Sequence, residues 1–251
     1  MLKKILVFAD SDVGLEISKF LIKDFYEDIV HVVVTSHDSI IKEICHESDI
    51  DVSVYESDKY NEFIKNTDFD VGFLIWWPKI ISEELINKAK FGFINTHPSF
   101  LPFSRGKHYN FWTLVEETKF GVTLHYVNKD IDSGDIIYQR RINYDWLDNG
   151  ESLFNKAKIE MINMFKEFYP LYRNDKLSAK KQNLKEGSYH HSSEIEKISV
   201  LDLDKSYKLR NILNLLRGRT FNGHPACSFY DSKSLKSYYV RVSITEKPEQ
   251  E

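Results

Sequence analysis

Residues Asn95 to Gly106 read NTHPSFLPFSRG, directly after the apolar run Phe91–Ile94. In a strand over Phe91–Thr96, residues i and i+2 share a face. The Asn95 amide and the His97 imidazole then emerge side by side at the strand's C-terminal end. Pro98 and Pro102 exclude a helix through the next residues and stiffen the loop. Downstream, Ile131–Asp135 reads IDSGD, a turn with an acid on either side of Ser133-Gly134. An amide, a base and an acid thus fall on loops at strand ends, where open α/β sheets put their sites.

Upstream of this stretch, strand and helix alternate. Ile5–Ala9 is a continuous apolar run, the pattern of a strand buried on both faces. Leu15, Ile17, Leu21 and Ile22 then mark a helix, Val30–Thr35 a second strand, and Ser39–Ser48 a helix with Ile40, Ile41 and Ile44 on one face. Val52–Tyr55 and Val71–Trp76 read as strands, and Ser82 with Glu83 and Glu84 as a helix start. The alternation predicts a parallel, doubly wound sheet. Asp10–Gly14, DSDVG, is not a dinucleotide fingerprint. It has one glycine where three are needed and two acids where pyrophosphate would sit.

Downstream, Tyr109–Glu117 reads as a helix. Phe120–Val127 and Ile136–Ile142 read as strands of a hairpin with Asp132 at its tip. Ser152–Phe168 is an amphipathic helix, with Leu153, Ala157, Met161, Met164, Phe165 and Phe168 at three-four spacing. Arg173–Ser193 is polar and lysine-rich and reads as a solvated connector that includes His190-His191. Leu209, Ile212, Leu213 and Leu216 mark a helix ending near Gly218. Ala226–Tyr230 and Ser237–Thr245 read as paired strands. This α+β appendage is too small to be securely stable alone. The expected organisation is residues 1–172 as the main domain, 173–195 as connector and 196–251 as C-terminal domain.

Composition narrows the class. The 251 residues are 42% hydrophobic, enough for a substantial core, with a net charge of −4 that argues against general nucleic-acid binding. Cys45 and Cys227 sit in apolar-periodic segments and read as buried, reduced thiols. The N-terminal apolar run is far too short for a signal sequence or a membrane span, and no later run approaches membrane length. The expectation is a soluble cytoplasmic protein with no membrane contact.

The compound motif Asn95-x-His97-x-Ser99-x-Leu101-Pro102, with Arg105-Gly106 and then Asp132-x-Gly134-Asp135, resembles the folate-dependent formyltransferases. It is most similar to the nucleotide-sugar N-formyltransferases. The resemblance covers Lys3–Phe168 well and the C-terminal part more loosely. It implies a Rossmann-like α/β formyltransferase core, 10-formyltetrahydrofolate as formyl donor, a dTDP-linked amino-dideoxy sugar as acceptor and a homodimer. It also implies a product destined for O-antigen, lipopolysaccharide or another surface glycan. The acceptor it points to is dTDP-4-amino-4,6-dideoxyglucose, with the 3-amino isomer as nearest rival. Glycinamide ribonucleotide and methionyl-tRNA formyltransferases share the core motif. A non-turnover folate or nucleotide-sugar binding module and a formyl-folate hydrolase are further alternatives.

Formyl transfer to an amine needs a base near neutrality, a neutral donor facing the developing oxyanion, and a carboxylate beside the base once it is cationic. His97, Asn95 and Asp132 supply these parts, and the resemblance assigns the same three positions. Asp132 either orients His97 or holds a water that relays protons. No metal is required. The resemblance places the pterin-binding loop at Trp76–Ser82, naming Trp77, Pro78, Lys79 and Ile80. Trp76 reads equally as a core residue. Arg105 and Lys107 either meet the diphosphate or are surface cations. Phe221 either stacks on the base or is core, and Tyr109 or Phe111 would wall the sugar pocket. His125 either lines the site or is a core or surface histidine.

Overall fold

Ile5–Ala9 forms β1 with all five side chains buried, because both faces of its sheet are covered by packed elements. The computed structural model describes residues 3–248. After β1 come α1 (Ser11–Phe25), β2 (Ile29–Val34), α2 (Ile40–Glu47), β3 (Val52–Val54) and α3 (Asp58–Asn66). Next are β4 (Val71–Ile75), α4 (Glu83–Lys88), β5 (Phe93–His97), the short β6 (Arg105–Gly106) and α5 (Tyr109–Glu116). Then follow β7 (Phe120–Tyr126), β8 (Ile136–Ile142), α6 (Gly150–Arg173), β9 (Tyr189–His190) and α7 (Glu194–Ile198). The chain continues through β10 (Val200–Leu201), α8 (Leu209–Gly218), β11 (Cys227–Asp231) and β12 (Lys236–Val240).

The chain divides into two compact units. The first runs to His97 and adds Val122–Arg140 and Lys158–Gln182. Its sheet has the order β3-β2-β1-β4-β5-β7-β8. The five strands from β3 to β5 are parallel, as their alternation with helices predicts. β7 is the departure, running antiparallel to β5. Alternation yields parallel strands only where the intervening helix packs back on the sheet. α5 instead contributes Phe111 and Trp112 to a separate apolar cluster with Leu215 of α8, so it is no crossover helix.

Adjacent strand residues face opposite sides, and both faces of this sheet are covered. Leu6, Phe8, Leu74 and Phe93 join a buried cluster with Tyr60 of α3 and Leu85 of α4. Phe73, on the other face, is ringed by Phe165, Phe168, Tyr169 and Tyr172 of α6 at centroid distances of 5.6–6.3 Å. The stripe expected on α6, from Leu153 to Phe168, is fully buried. Gly72 leaves room for the Phe93 ring, which would lie 2.1 Å from a Cβ there. Asp28, wholly buried, accepts from Tyr169 Oη at 2.8 Å and from Arg173 Nε at 2.6 Å.

The second unit comprises Pro98–Gly121, Arg141–Ala157 and the chain from Asn183 onward. β10, β11 and β12 form a small sheet, and Phe111, Trp112, Ile195, Leu215 and Cys227 form the core beneath it. The last strand stops at Val240, short of the Thr245 expected from alternation. Val240 pairs with Cys227, the first residue of β11, and just upstream Pro225 has no N–H to extend the ladder. Arg241 donates to the carbonyls of Phe221 and His224 instead.

The stretch expected as a solvated connector is structured. β9 pairs in parallel with β6, and His190 stacks on Trp112 at 3.6 Å between Glu116 and Glu194. The first part of that stretch, through Gln182, belongs to the first unit. Both cysteines are buried and free, and burial pushes the Cys45 thiol up to about 12 and that of Cys227 to about 11. Among the described residues no helix is long and apolar enough to cross a membrane.

Candidate active site

Asn95 and His97 lie two residues apart on β5, at the C-terminal edge of the parallel strands. Thr96 between them faces the other way and closes the strand end. Its hydroxyl accepts from the Trp76 N–H at 2.8 Å and donates to the Leu74 carbonyl at 3.1 Å. That anchor holds β5 against the end of β4, where Trp76 takes a left-handed φ of 51°.

The loop between β7 and β8 brings Asp132 to both residues. His97 Nδ1 lies 3.3 Å from Asp132 Oδ2, and Asn95 Nδ2 lies 3.4 Å from Asp132 Oδ1. The His97 and Asp132 side chains are only 6% and 12% exposed, so their interaction is little screened by water. With Nδ1–H turned to the carboxylate, the His97 lone pair resides on Nε2, the nitrogen able to take a proton.

His125 completes the cluster. The β5–β7 register sets it directly opposite Asn95. Its Nε2 lies 3.3 Å from Asn95 Nδ2 and 3.5 Å from Asp132 Oδ1. Nδ1 is 2.8 Å from the Tyr126 carbonyl, which can only accept. Nδ1 therefore carries a proton, and in that tautomer Nε2 accepts from the Asn95 amide. Sequence reading left His125 between a site and a core role. Its pairing opposite Asn95 was the missing information, and strand register is not written in local periodicity.

The Asp132 loop is tightly built. Asp132 has a left-handed φ of 49°. Ser133 Oγ lies 2.8 Å from Asn128 Oδ1 and 3.0 Å from the Asp130 carbonyl. At Gly134 a Cβ would lie 1.8 Å from the Tyr126 carbonyl oxygen. Gln182, 7% exposed, donates through Nε2 to the Asp132 carbonyl at 3.1 Å and the Gly134 carbonyl at 2.5 Å. Gln182 sits in a stretch whose polarity reads as solvated linker, so sequence reasoning passed over it.

Trp77, Pro78, Lys79 and Ile80 follow β4 in the same unit. The Trp77 ring packs edge-on against Phe8 at 5.1 Å and Tyr55 at 5.5 Å, and its buried Nε1 has no hydrogen-bond partner among the described residues. Lys79 Nζ lies 5.0 Å from the Tyr55 ring centroid, whereas Ile80 is 84% exposed. An orphaned indole N–H beside an exposed apolar side chain and a bent backbone suits a flat ligand rich in acceptors.

Arg105, Lys107, Tyr109 and Phe221 belong to the second unit. Arg105 lies on β6 with its guanidinium 5.9 Å over the Tyr189 ring, and its buried Nε has no hydrogen-bond partner among the described residues. Lys107 is exposed. Burial holds the Tyr109 phenol well above its ordinary range. Phe221 lies 5.4 Å from Phe154 and 4.6 Å from His224. Phe111, expected as a possible sugar-pocket wall, is a core residue at 1% exposure, packed against Trp112. Among the described residues, no group of three or more His, Cys, Asp and Glu side chains could hold a metal ion.

Comparison with known proteins adds to this geometry. Over 187 residues, 74% of this chain, the sequence is 28% identical to the bifunctional polymyxin resistance protein ArnA of Wigglesworthia glossinidia brevipalpis, and it spans only 28% of that protein's length. It is 29% identical over 255 residues to the methionyl-tRNA formyltransferase of Clostridioides difficile, covering 95% of this chain and 80% of the relative. It is 27% identical over 155 residues to the dTDP-4-amino-4,6-dideoxyglucose formyltransferase of Mycobacterium tuberculosis, covering 62% and 66%. The fold matches a 4-N formyltransferase from Francisella tularensis with a TM-score of 0.81 at 24% identity, over 98% of this chain and 99% of the other. It also matches an N-formyltransferase from Helicobacter canadensis, solved with folinic acid and dTDP-3-aminofucose, with a TM-score of 0.71 at 18% identity, over 92% and 85%. Residues 194–246 match the N-formyltransferase dimerization C-terminal domain. Residues 27–167, more than half of the sequence and including every member of the β5–β7 cluster, match the formyl transferase family, and it is to this family that the chain belongs.

Proposed function

We propose that the protein transfers the formyl group of 10-formyltetrahydrofolate to the amine of a nucleotide-linked amino sugar, with dTDP-4-amino-4,6-dideoxyglucose as the substrate of choice. The observation that carries the reading is the buried constellation of Asn95, His97 and Asp132. Support for a sugar acceptor comes from the dTDP-amino-sugar relative and from a C-terminal segment that matches the N-formyltransferase dimerization domain.

In this mechanism the acceptor ammonium first loses a proton to solvent and becomes nucleophilic. The amine nitrogen then attacks the formyl carbon, and the carbonyl π electrons move to oxygen. The Asn95 amide donates to that oxyanion, a contribution typically worth about 3–4 kcal/mol in the transition state. His97 Nε2 takes the proton released by the attacking nitrogen, and Asp132 stabilises the resulting imidazolium. Collapse of the oxyanion expels N10 of the folate, which takes its proton from the His97 imidazolium, giving a formamide, tetrahydrofolate and a neutral His97. Trp77, Pro78, Lys79 and Ile80 would hold the pterin, Arg105 and Lys107 the diphosphate, Tyr109 the sugar and Phe221 the base. The second unit, with Tyr230, Leu235, Tyr238 and Tyr239 exposed on its β11–β12 hairpin, would form a homodimer. The enzyme would act in the cytoplasm and feed a surface glycan.

The test is a panel of nucleotide-linked amino sugars incubated with protein and 10-formyltetrahydrofolate, with products read by mass spectrometry. Preference for the dTDP-linked 4-amino sugar is expected. Formylation of methionyl-tRNA with no amino sugar turned over would replace this reading with the second one favoured by a relative matching 95% of the chain. The net charge of −4 weighs against that RNA substrate. His97→Ala should lower turnover by about 10²–10⁴-fold at saturating acceptor.

A further inference from the structure

The backbone of the Asp132 loop leaves two carbonyls, those of Asp132 and Gly134, pointing at one buried side chain. Gln182 Nε2 donates to both, at 3.1 Å and 2.5 Å. Gln182 is itself held in place. Two residues before it, Lys180 and Ile136 exchange backbone hydrogen bonds of 2.7 Å and 2.8 Å, pinning this segment to the first residue of β8. The Gln182 Oε1 is buried without a hydrogen-bond partner among the described residues, so this amide is engaged through its N–H groups. A buried acceptor left unmatched is costly, and the two N–H contacts to loop carbonyls are what this glutamine gains in return. The base of the loop is closed separately by the Tyr126 N–H to the Asp135 carbonyl at 2.9 Å. Gln182 therefore controls the tip.

We propose that Gln182 is a positioning residue for Asp132: by clamping the carbonyls on either side of Ser133 it fixes the left-handed turn that aims the Asp132 carboxylate at His97 Nδ1. This rests on the catalytic reading of Asp132. Without the clamp the tip is held only by contacts within the loop, those of Ser133 Oγ to Asn128 and Asp130, and a carboxylate displaced by about 1 Å loses its alignment with His97, a kind of error that can cost on the order of 100-fold in rate.

The experiment compares Gln182→Met, which keeps the volume and removes the donor, with Gln182→Glu, which opposes two carbonyls with a carboxylate. Asp132→Asn is the reference. Steady-state kinetics are measured beside the His97 Nδ1 resonance in protein labelled with ¹⁵N-histidine. The resonance reports the hydrogen bond to Asp132 whether or not a substrate is known. Expected for Gln182→Met are a kcat lower by about 10- to 100-fold, KM values unchanged within about twofold, and a His97 resonance displaced in the same direction as in Asp132→Asn. Gln182→Glu should do more damage. A wild-type kcat and His97 resonance in Gln182→Met, when Asp132→Asn moves both, would overturn the proposal. If Asp132→Asn keeps full kcat, the catalytic reading of Asp132 fails, while the resonance still decides whether Gln182 sets the carboxylate. Should Gln182→Met not fold, Gln182→Asn retracts the donor by one methylene and is judged by the same criteria.

Discussion

His125 lies directly across the β5–β7 pair from Asn95, and its Nε2 approaches the Asn95 amide nitrogen to 3.3 Å. The contact fixes a carboxamide plane that would otherwise rotate about its terminal torsion, which has only weak intrinsic preferences. The Tyr126 carbonyl at 2.8 Å from Nδ1 dictates the tautomer that makes the contact possible. In the mechanism proposed above Asn95 is the oxyanion donor, and such a donor must be aimed before charge develops, so an anchor on its amide would act on the transition state rather than on binding.

His125→Phe keeps a planar ring and removes the acceptor. Turnover should fall by roughly 10²-fold, less than or equal to the loss in Asn95→Ala, because a misaimed donor cannot cost more than an absent one. The KM for the acceptor should stay near its wild-type value. A double variant of His125 and Asn95 no worse than Asn95→Ala alone would show that the two act as one unit. Fully additive losses would show that they do not.

Acid should weaken the fold through His31. This residue is 1% exposed on β2, its Nε2 2.7 Å from Ser53 Oγ and its ring stacked on Phe63 at 4.0 Å. Burial pushes its pKa down to about 4 from an ordinary 6.5, against a smaller upward pull from Asp51. Between those values the unfolded chain binds a proton that the folded chain refuses. Stability is thus complete above pH 6.5 and declines as pH falls toward 4, by roughly 3 kcal/mol from this group. Urea midpoints for wild type and His31→Gln at pH 7 and pH 4.5 isolate the effect. Equal pH dependence in the two proteins would contradict it.

The buried Asp28 predicts an asymmetry. Its carboxylate is fully enclosed and bound by Tyr169 and Arg173, while the Arg173 side chain is 29% exposed. Arg173→Met leaves a buried charge with one neutral donor and should cost about 3 kcal/mol, at the low end for broken buried pairs because water reaches the vacated position. Melting should drop by roughly 6–12 °C. The pair of changes Asp28→Asn with Arg173→Met should recover part of that loss, as the buried charge is then gone.

Legibility in the sequence followed the physics of each element. Ile5–Ala9 was readable to the residue because a strand covered on both faces of its sheet must be apolar throughout. The α6 stripe was readable because burial on one side imposes its own period. α3 was missed although Ser57 caps it by accepting from Tyr60 N–H, since its surface is polar enough to hide the Tyr60, Phe63 and Ile64 spacing. Asn95 and His97 could be placed side by side by strand geometry alone, whereas the turn offered two acids and only the family resemblance singled out Asp132. His125 and Gln182 could not, because one reaches the site through register and the other through a side-chain hydrogen bond across 48–50 residues. Such contacts leave no local pattern. Nor did the connector reveal that His190 would stack on Trp112, since a polar residue with buried partners looks in sequence like one in water.

Gly134→Ala is the sharpest probe of the Asp132 turn. Glycine there is required by close approach, not by backbone sign: a Cβ would sit 1.8 Å from the Tyr126 carbonyl oxygen and 2.8 Å from its carbonyl carbon. Both are backbone atoms of β7, and the same residue accepts from His125 through that carbonyl. β7 is paired with β5 and cannot retreat without breaking the Asn95–His125 register. The loop must move instead, carrying Asp132 away from His97 and lifting the Gly134 carbonyl off Gln182. The strands on either side of the loop remain paired in the sheet, so the fold as a whole should survive. The expected result is a kcat reduced by about 10²-fold or more, together with a lowered melting temperature, since Gly134 is buried and the clash is with backbone. Circular dichroism melts and saturating-substrate turnover measured on one preparation separate the two effects. An active Gly134→Ala enzyme would mean that the turn tolerates displacement and that Asp132 need not hold its 3.3 Å distance to His97.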